Sequence, residues 1–66
     1  EDAFECVARF RHGQTLQFVE VRTNDNSSAI VRFKEKQRAV SKGQYIVFYR
    51  NGYCLGGGVI SETYND

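Results

Sequence analysis

Seven basic or titratable side chains gather in two short stretches of the sequence. Arg9, Arg11 and His12 form the first, and Lys34, Lys36, Arg38 and Lys42 form the second. Cations spaced along strand ends and loops suit contact with phosphate, which carries affinity and orientation but little sequence information. The same residues also read as a solvated strand face and loop, and Glu35 interrupts the second stretch. Tyr45, Tyr49 and Tyr53 share an outward parity. They could stack nucleobases, or cover a second apolar layer or a neighbouring domain. His12 is the one histidine and has no partner in sequence range for acid–base work. Cys6 and Cys54 are the two cysteines, no CxxC occurs, and a zinc ligand spacing is missing. Asp25 and the acids of the tail are unpaired in the sequence. No residue is assigned a catalytic, cofactor-binding or metal-binding role.

The elements that must position these groups are strands. Residues 4–11 (FECVARFR) put Phe4, Cys6, Ala8 and Phe10 on one face and Glu5, Arg9 and Arg11 on the other, the alternation of a half-buried strand. In residues 15–22 (TLQFVEVR), Leu16 and Phe18 share one parity and Val19 and Val21 the other, which predicts a bulge or bend. Residues 24–28 (NDNSS) are a turn by composition. Residues 29–34 make a third strand. The charged stretch 35–43 reads as a loop that tucks Ala39 and Val40 inward and ends at Gly43. Residues 44–50 (QYIVFYR) and 53–60 (YCLGGGVI) are two apolar runs separated by Asn51-Gly52. That spacing predicts a hairpin with a type I′ turn, with Ile46 and Phe48 facing one way and Tyr45, Val47 and Tyr49 the other. Gly56-Gly57-Gly58 inside a strand points to a sharp bend or a close backbone approach. The two cysteines read as small buried thiols. Five or six short strands joined by tight turns predict an all-β fold, a small antiparallel β-barrel.

Length and composition set the frame. The chain has 66 residues, 41% of them hydrophobic, with five Phe and four Tyr. That is one domain, whose core is thin because so short a chain buries only about 60% of its unfolded surface. The net charge of +1 predicts neither a nucleic-acid nor a membrane partner by itself. No apolar run approaches the length of a spanning helix, and no signal peptide is visible. The chain opens on Glu1 and lacks methionine, which points to an excised domain or a processed piece. Residues 1–60 are expected to form the barrel and 61–66 a polar tail. A complete barrel could draw its first strand from upstream of Glu1.

Residues 37–60 read QRAVSKGQYIVFYRNGYCLGGGVI. This segment resembles the ending of the tRNA-specific 2-thiouridylases, in which QRAV and GQ precede a VFY strand, a short turn and CLGGG. The matching positions are Gln37-Arg38-Ala39-Val40, Gly43-Gln44, Val47-Phe48-Tyr49 and Cys54-Leu55-Gly56-Gly57-Gly58. Upstream, Arg9-Phe10-Arg11-His12 is similar to the family's RYRQ-like strand end, and Cys6 and Ala8 match the small residues before it. The resemblance covers about residues 4–60. Lys36 and Lys42 depart from it, standing where the family often has proline.

The resemblance implies a non-catalytic C-terminal barrel, similar to the second domain of translation elongation factors, that helps to dock tRNA. Its implied partners are tRNA and the remaining domains of a parent enzyme, with no membrane. The parent would activate a wobble uridine with ATP and insert sulfur handed on by a sulfur-relay protein. That chemistry belongs to an N-terminal domain with a phosphate-binding SGGxDS-like loop and paired cysteines. Gly56–Gly58 lack the Ser and Asp of that loop, and Cys54 matches a structural position, so no cofactor is expected on these residues. The implied location is the cytoplasm, or the mitochondrion for a eukaryotic relative. Two other readings stay open: a stand-alone oligonucleotide-binding barrel, and a structural interdomain cap without RNA affinity.

Overall fold

The computed structural model describes residues 3–24 and 28–64. It is all-β and antiparallel, a barrel-like domain with five strands in one sheet: β1 (Ala3–Arg9), β2 (Gln17–Thr23), β3 (Ala29–Phe33), β4 (Tyr45–Arg50) and β5 (Tyr53–Val59). Their order is β3-β2-β1-β4-β5. Among the described residues β3 and β5 are the edges of the sheet.

One face carries the core. Cys6, Ala8, Phe10, Val19, Val21 and Ile46 are buried, and Phe4, Val31, Phe33, Val40, Phe48 and Ile60 pack against them. Phe10 and Phe33 meet edge to face at 5.7 Å between ring centroids, the favoured arrangement for an aromatic pair. The alternation predicted for β1 and β4 holds: Cys6 and Ala8 of β1 and Ile46 of β4 point inward while Glu5 and Tyr45 are exposed. Strand β1 ends at Arg9, so Phe10 and Arg11 belong to the turn beyond it.

The predicted irregularity lies elsewhere than in β2. The β1–β2 and β2–β3 ladders run in register throughout. Leu16 precedes β2, and Phe18 faces solvent at 69% exposure, so only Val19 and Val21 serve the core. The bulge sits in the last hairpin, where Phe48 pairs with Gly56 but Tyr49 pairs with Cys54. Leu55 is the extra residue. One added residue exchanges the faces of the neighbouring positions across the ladder. Cys54 therefore lands opposite outward-facing Tyr49 and is exposed, correcting the expectation of two buried thiols; Cys6 alone is buried. Both cysteines are free, and β4 lies between their strands. Burial pushes the Cys6 thiol pKa up, partly countered by the charge of Arg50.

The turns explain the remaining geometry. Asn51 (φ 52°) and Gly52 (φ 83°) form the predicted type I′ connection. Residues 25–27 of the 24–28 turn lie outside the described residues. Its ends are clasped, the Asn24 N–H donating to the Ser28 carbonyl at 3.1 Å. In the long loop only Val40 tucks inward; Ala39 is exposed and takes a left-handed φ of 59°. Gly43 ends that loop by donating its N–H to the Ile60 carbonyl at 2.8 Å.

The glycine run answers to both reasons anticipated for it. Gly56, beside the bulge, adopts φ 126°, a region open essentially to glycine. At Gly57 an added Cβ would collide with the Ile46 carbonyl oxygen and come within 3.1 Å of Tyr45 Cε2. Gly57→Ala is expected to cost about 1–3 kcal/mol by overpacking. Gly58→Ala is the control, since its Cβ meets nothing within 4 Å. Equal melting midpoints for the two variants would refute the close-approach argument.

Candidate nucleic-acid interface

The outward end of β1 and the adjoining turn supply Arg9, Phe10, Arg11 and His12 to one side of a shallow groove of about 380 Å³. Gln44, just before β4, and Tyr45, Val47 and Tyr49 of that strand line the other. The cause is register. Arg9 pairs with Val47, and the alternation that buries Ile46 aims Tyr45, Val47 and Tyr49 outward. The turn beyond Arg9 is pinned by Gln14: its Oε1 accepts the Phe10 N–H at 2.8 Å, and its own N–H donates to the Arg11 carbonyl.

Two guanidinium groups lie against aromatic rings. Arg9 Cζ sits 5.5 Å from the Tyr49 centroid, and its Nη2 reaches the Tyr49 hydroxyl at 3.5 Å. Arg11 Cζ sits 4.7 Å from the centroid of Phe10. Arg11 Nη2 also donates to the backbone carbonyls of Arg38 at 3.1 Å and Ala39 at 3.5 Å. One side chain thus ties the 34–44 loop to the end of β1 and brings the two basic stretches into one region. A guanidinium suits this role, since its five N–H donors let Nη2 reach both carbonyls while Nε and Nη1 remain for other acceptors.

The loop is ordered by further polar contacts. Gln37 Nε2 donates to Gln17 Oε1 at 3.0 Å and to the Glu35 carbonyl at 2.9 Å. Gln44 Oε1 accepts the Ser41 N–H at 2.8 Å. The exposed side chains of Lys36, Arg38 and Lys42 form no ion pair among the described residues. Lys34 differs. Its Nζ lies 2.9 Å from Glu5 Oε2, and its backbone N–H donates to the Phe18 carbonyl. The hydrogen bond to Glu5, reinforced by its charge, raises the Lys34 pKa. Both partners are exposed, so the pair contributes little to stability, and the Glu5 carboxylate offsets the Lys34 charge locally.

The structure therefore joins Arg9, Arg11 and His12 to the loop carrying Lys36, Arg38 and Lys42, and separates Lys34 from them by its partner. Tyr45 and Tyr49 line the groove. Tyr53 does not; it lies at the hairpin end, paired with Arg50. Arg22, Arg32 and Arg50 escaped the sequence reading. Arg22 and Arg32, with Glu20 and Ile30, line a second outward depression of about 340 Å³ on β2 and β3. Strand parity was the signal that could have found them, because Glu20 pairs with Arg32 and Arg22 with Ile30. Among the described residues no three His, Cys, Asp or Glu gather as a metal set.

Comparison with known proteins gives this site its family. The model of the aminomethyltransferase beta-barrel domain matches residues 1–60. The chain is 44% identical over all 66 residues to the tRNA-specific 2-thiouridylase MnmA of Bacillus licheniformis, covering 18% of that protein. It is 48% identical over 59 residues, 89% of the chain, to the enzymes of the same name from Francisella tularensis subsp. novicida and Francisella philomiragia, covering 16% of each. The chain thus spans less than a fifth of the length of these relatives. It belongs to the aminomethyltransferase beta-barrel domain family, in the form carried by the C-terminal region of the tRNA-specific 2-thiouridylases.

Proposed function

We propose that this domain docks tRNA for a 2-thiouridine-forming enzyme, through the surface built from the groove and the 36–42 loop. The observation that carries the reading is the Arg11 bridge. It turns two basic stretches that lie 27 residues apart at Arg11 and Arg38 into one anion-facing surface. Phosphate contact needs such a surface rather than a net charge. Catalysis falls to the rest of the parent polypeptide, with ATP as its cofactor and a sulfur-relay protein as donor. The parent would act in the cytoplasm, or in the mitochondrion of a eukaryote.

A titration of the isotopically labelled chain with unmodified tRNA tests this. Backbone amides at residues 9–12 and 36–42 should shift at low salt and recover at moderate salt, while Lys34 should respond weakly. Absence of shifts at about 0.1 mM protein, where weak non-specific binding is detectable, would defeat the reading.

One feature favours a second role, contact with a neighbouring domain. Phe18, Val7, Tyr49 and Cys54 are successive partners across β2, β1, β4 and β5, and so form an apolar row on the outward face of the sheet. Phe18 and Cys54 are exposed. Such a row suits burial against protein, and it lies beside the groove without using the 36–42 loop.

A further inference from the structure

We propose that the groove takes an unpaired nucleotide, whose base lies on Tyr45 and whose phosphate faces Arg9, Arg11 and His12. The inference rests on the tRNA-docking reading and specifies which part of such an RNA the groove admits. Tyr45 opens β4 on the outward face and is 56% exposed. Its ring leans across β5 at Gly57, where a Cβ would come within 3.1 Å of Tyr45 Cε2. The missing side chain therefore gives the ring a seat on the neighbouring strand. An exposed aromatic so braced loses little freedom when a second ring stacks on it.

The other two tyrosines do not offer the same surface. Tyr49 is half-buried and already carries the Arg9 guanidinium at 5.5 Å. Tyr53 lies outside the groove. The polar lining supplies the sign of the ligand: it holds two arginines and a histidine but no carboxylate. Arg11 uses Nη2 for the loop carbonyls, which leaves its Nε and Nη1 donors for an oxyanion. The volume of about 380 Å³ falls at the small end of ligand sites. A base inside a duplex has both faces covered by its neighbours, so a platform of this kind selects unstacked nucleotides.

The test uses a single-stranded RNA decamer containing one 2-aminopurine, the same decamer annealed to its complement, and the wild-type, Tyr45→Phe and Tyr45→Leu chains. The single strand should bind wild type more tightly than the duplex, with its fluorescence quenched by stacking. Tyr45→Phe should retain both effects. Tyr45→Leu should lose about fivefold or more in affinity and abolish quenching, with its amide spectrum otherwise preserved. Equal, salt-sensitive binding of strand and duplex, without quenching in wild type, would overturn the stacking site while leaving tRNA docking intact. Failure of wild type to bind either decamer while it still binds tRNA would overturn this site alone, and failure to bind tRNA as well would overturn the docking reading with it. The quenching readout on wild type needs no variant, so a misfolded substitution cannot obscure the result.

Discussion

Phe10→Ala is expected to remove a large share of the stability of the chain. Phe10 is 4% exposed, and it meets Phe33 on the core side while Arg11 lies over its ring. Removing a buried phenyl group costs about 3–5 kcal/mol, because the cavity closes only partly. A chain of this size has roughly 3–10 kcal/mol of stability in total. Among the described residues six are buried in the core, so little remains to compensate. The midpoint should fall by roughly 12 °C or more, since each kcal/mol shifts a small domain by about 4–8 °C. Thermal melts monitored by far-ultraviolet dichroism and amide dispersion would measure this. A drop of only a few degrees would show that Phe10 is not the keystone of the core.

The second large effect is on RNA affinity. If the groove and loop meet about four phosphates, log affinity should fall with log salt at a slope near −3, and a fourfold rise in salt should weaken binding about 50- to 150-fold. The variants separate the contributions. Arg11→Ala should reduce the slope by more than one, because it removes a cation and also releases the loop that carries Lys36, Arg38 and Lys42. Arg11→Lys keeps the charge and donors for the loop carbonyls but lacks the additional Nε and Nη1 donors that arginine leaves for an oxyanion, and should fall between Arg11→Ala and wild type. Lys34→Ala should leave the slope unchanged, because the Glu5 carboxylate already offsets that charge locally. A Lys34→Ala slope as shallow as that of Arg11→Ala would place the phosphate contacts on the wrong part of the surface.

Much of the fold was legible because it arises from strict alternation and one turn. The inward sets of β1 and β4 come from period-two spacing, and Asn51-Gly52 defines the final hairpin. The bulge was less accessible. The mixed parity around Leu16 and Phe18 mimics one, yet Leu16 simply precedes the strand. The actual extra residue is Leu55, in a glycine-rich run whose small residues give no parity signal. Cys54 was misplaced for the same reason. Of the candidate site, residue types and outward parity were visible, and so was the resemblance that pointed to tRNA. The bond from Arg11 to Arg38 and the pairing of Lys34 with Glu5 were not. They join positions 27 and 29 residues apart through the sheet order, and neither segment alone encodes its partner.

The two edges of the sheet among the described residues, β3 and β5, bear on how the domain behaves in a crowded solution. An unpaired strand edge is a template for another chain, and long, flat, apolar edges seed aggregates. Here β5 carries three successive glycines, which are poor strand formers, and the bulge at Leu55 breaks its line of hydrogen-bonding groups. The opposite edge, β3, is only five residues long and presents Arg32. Each edge is thus a weak template, one by irregularity and the other by brevity and charge. The same glycine run that lets Tyr45 lean across β5 also guards the domain against self-templated growth.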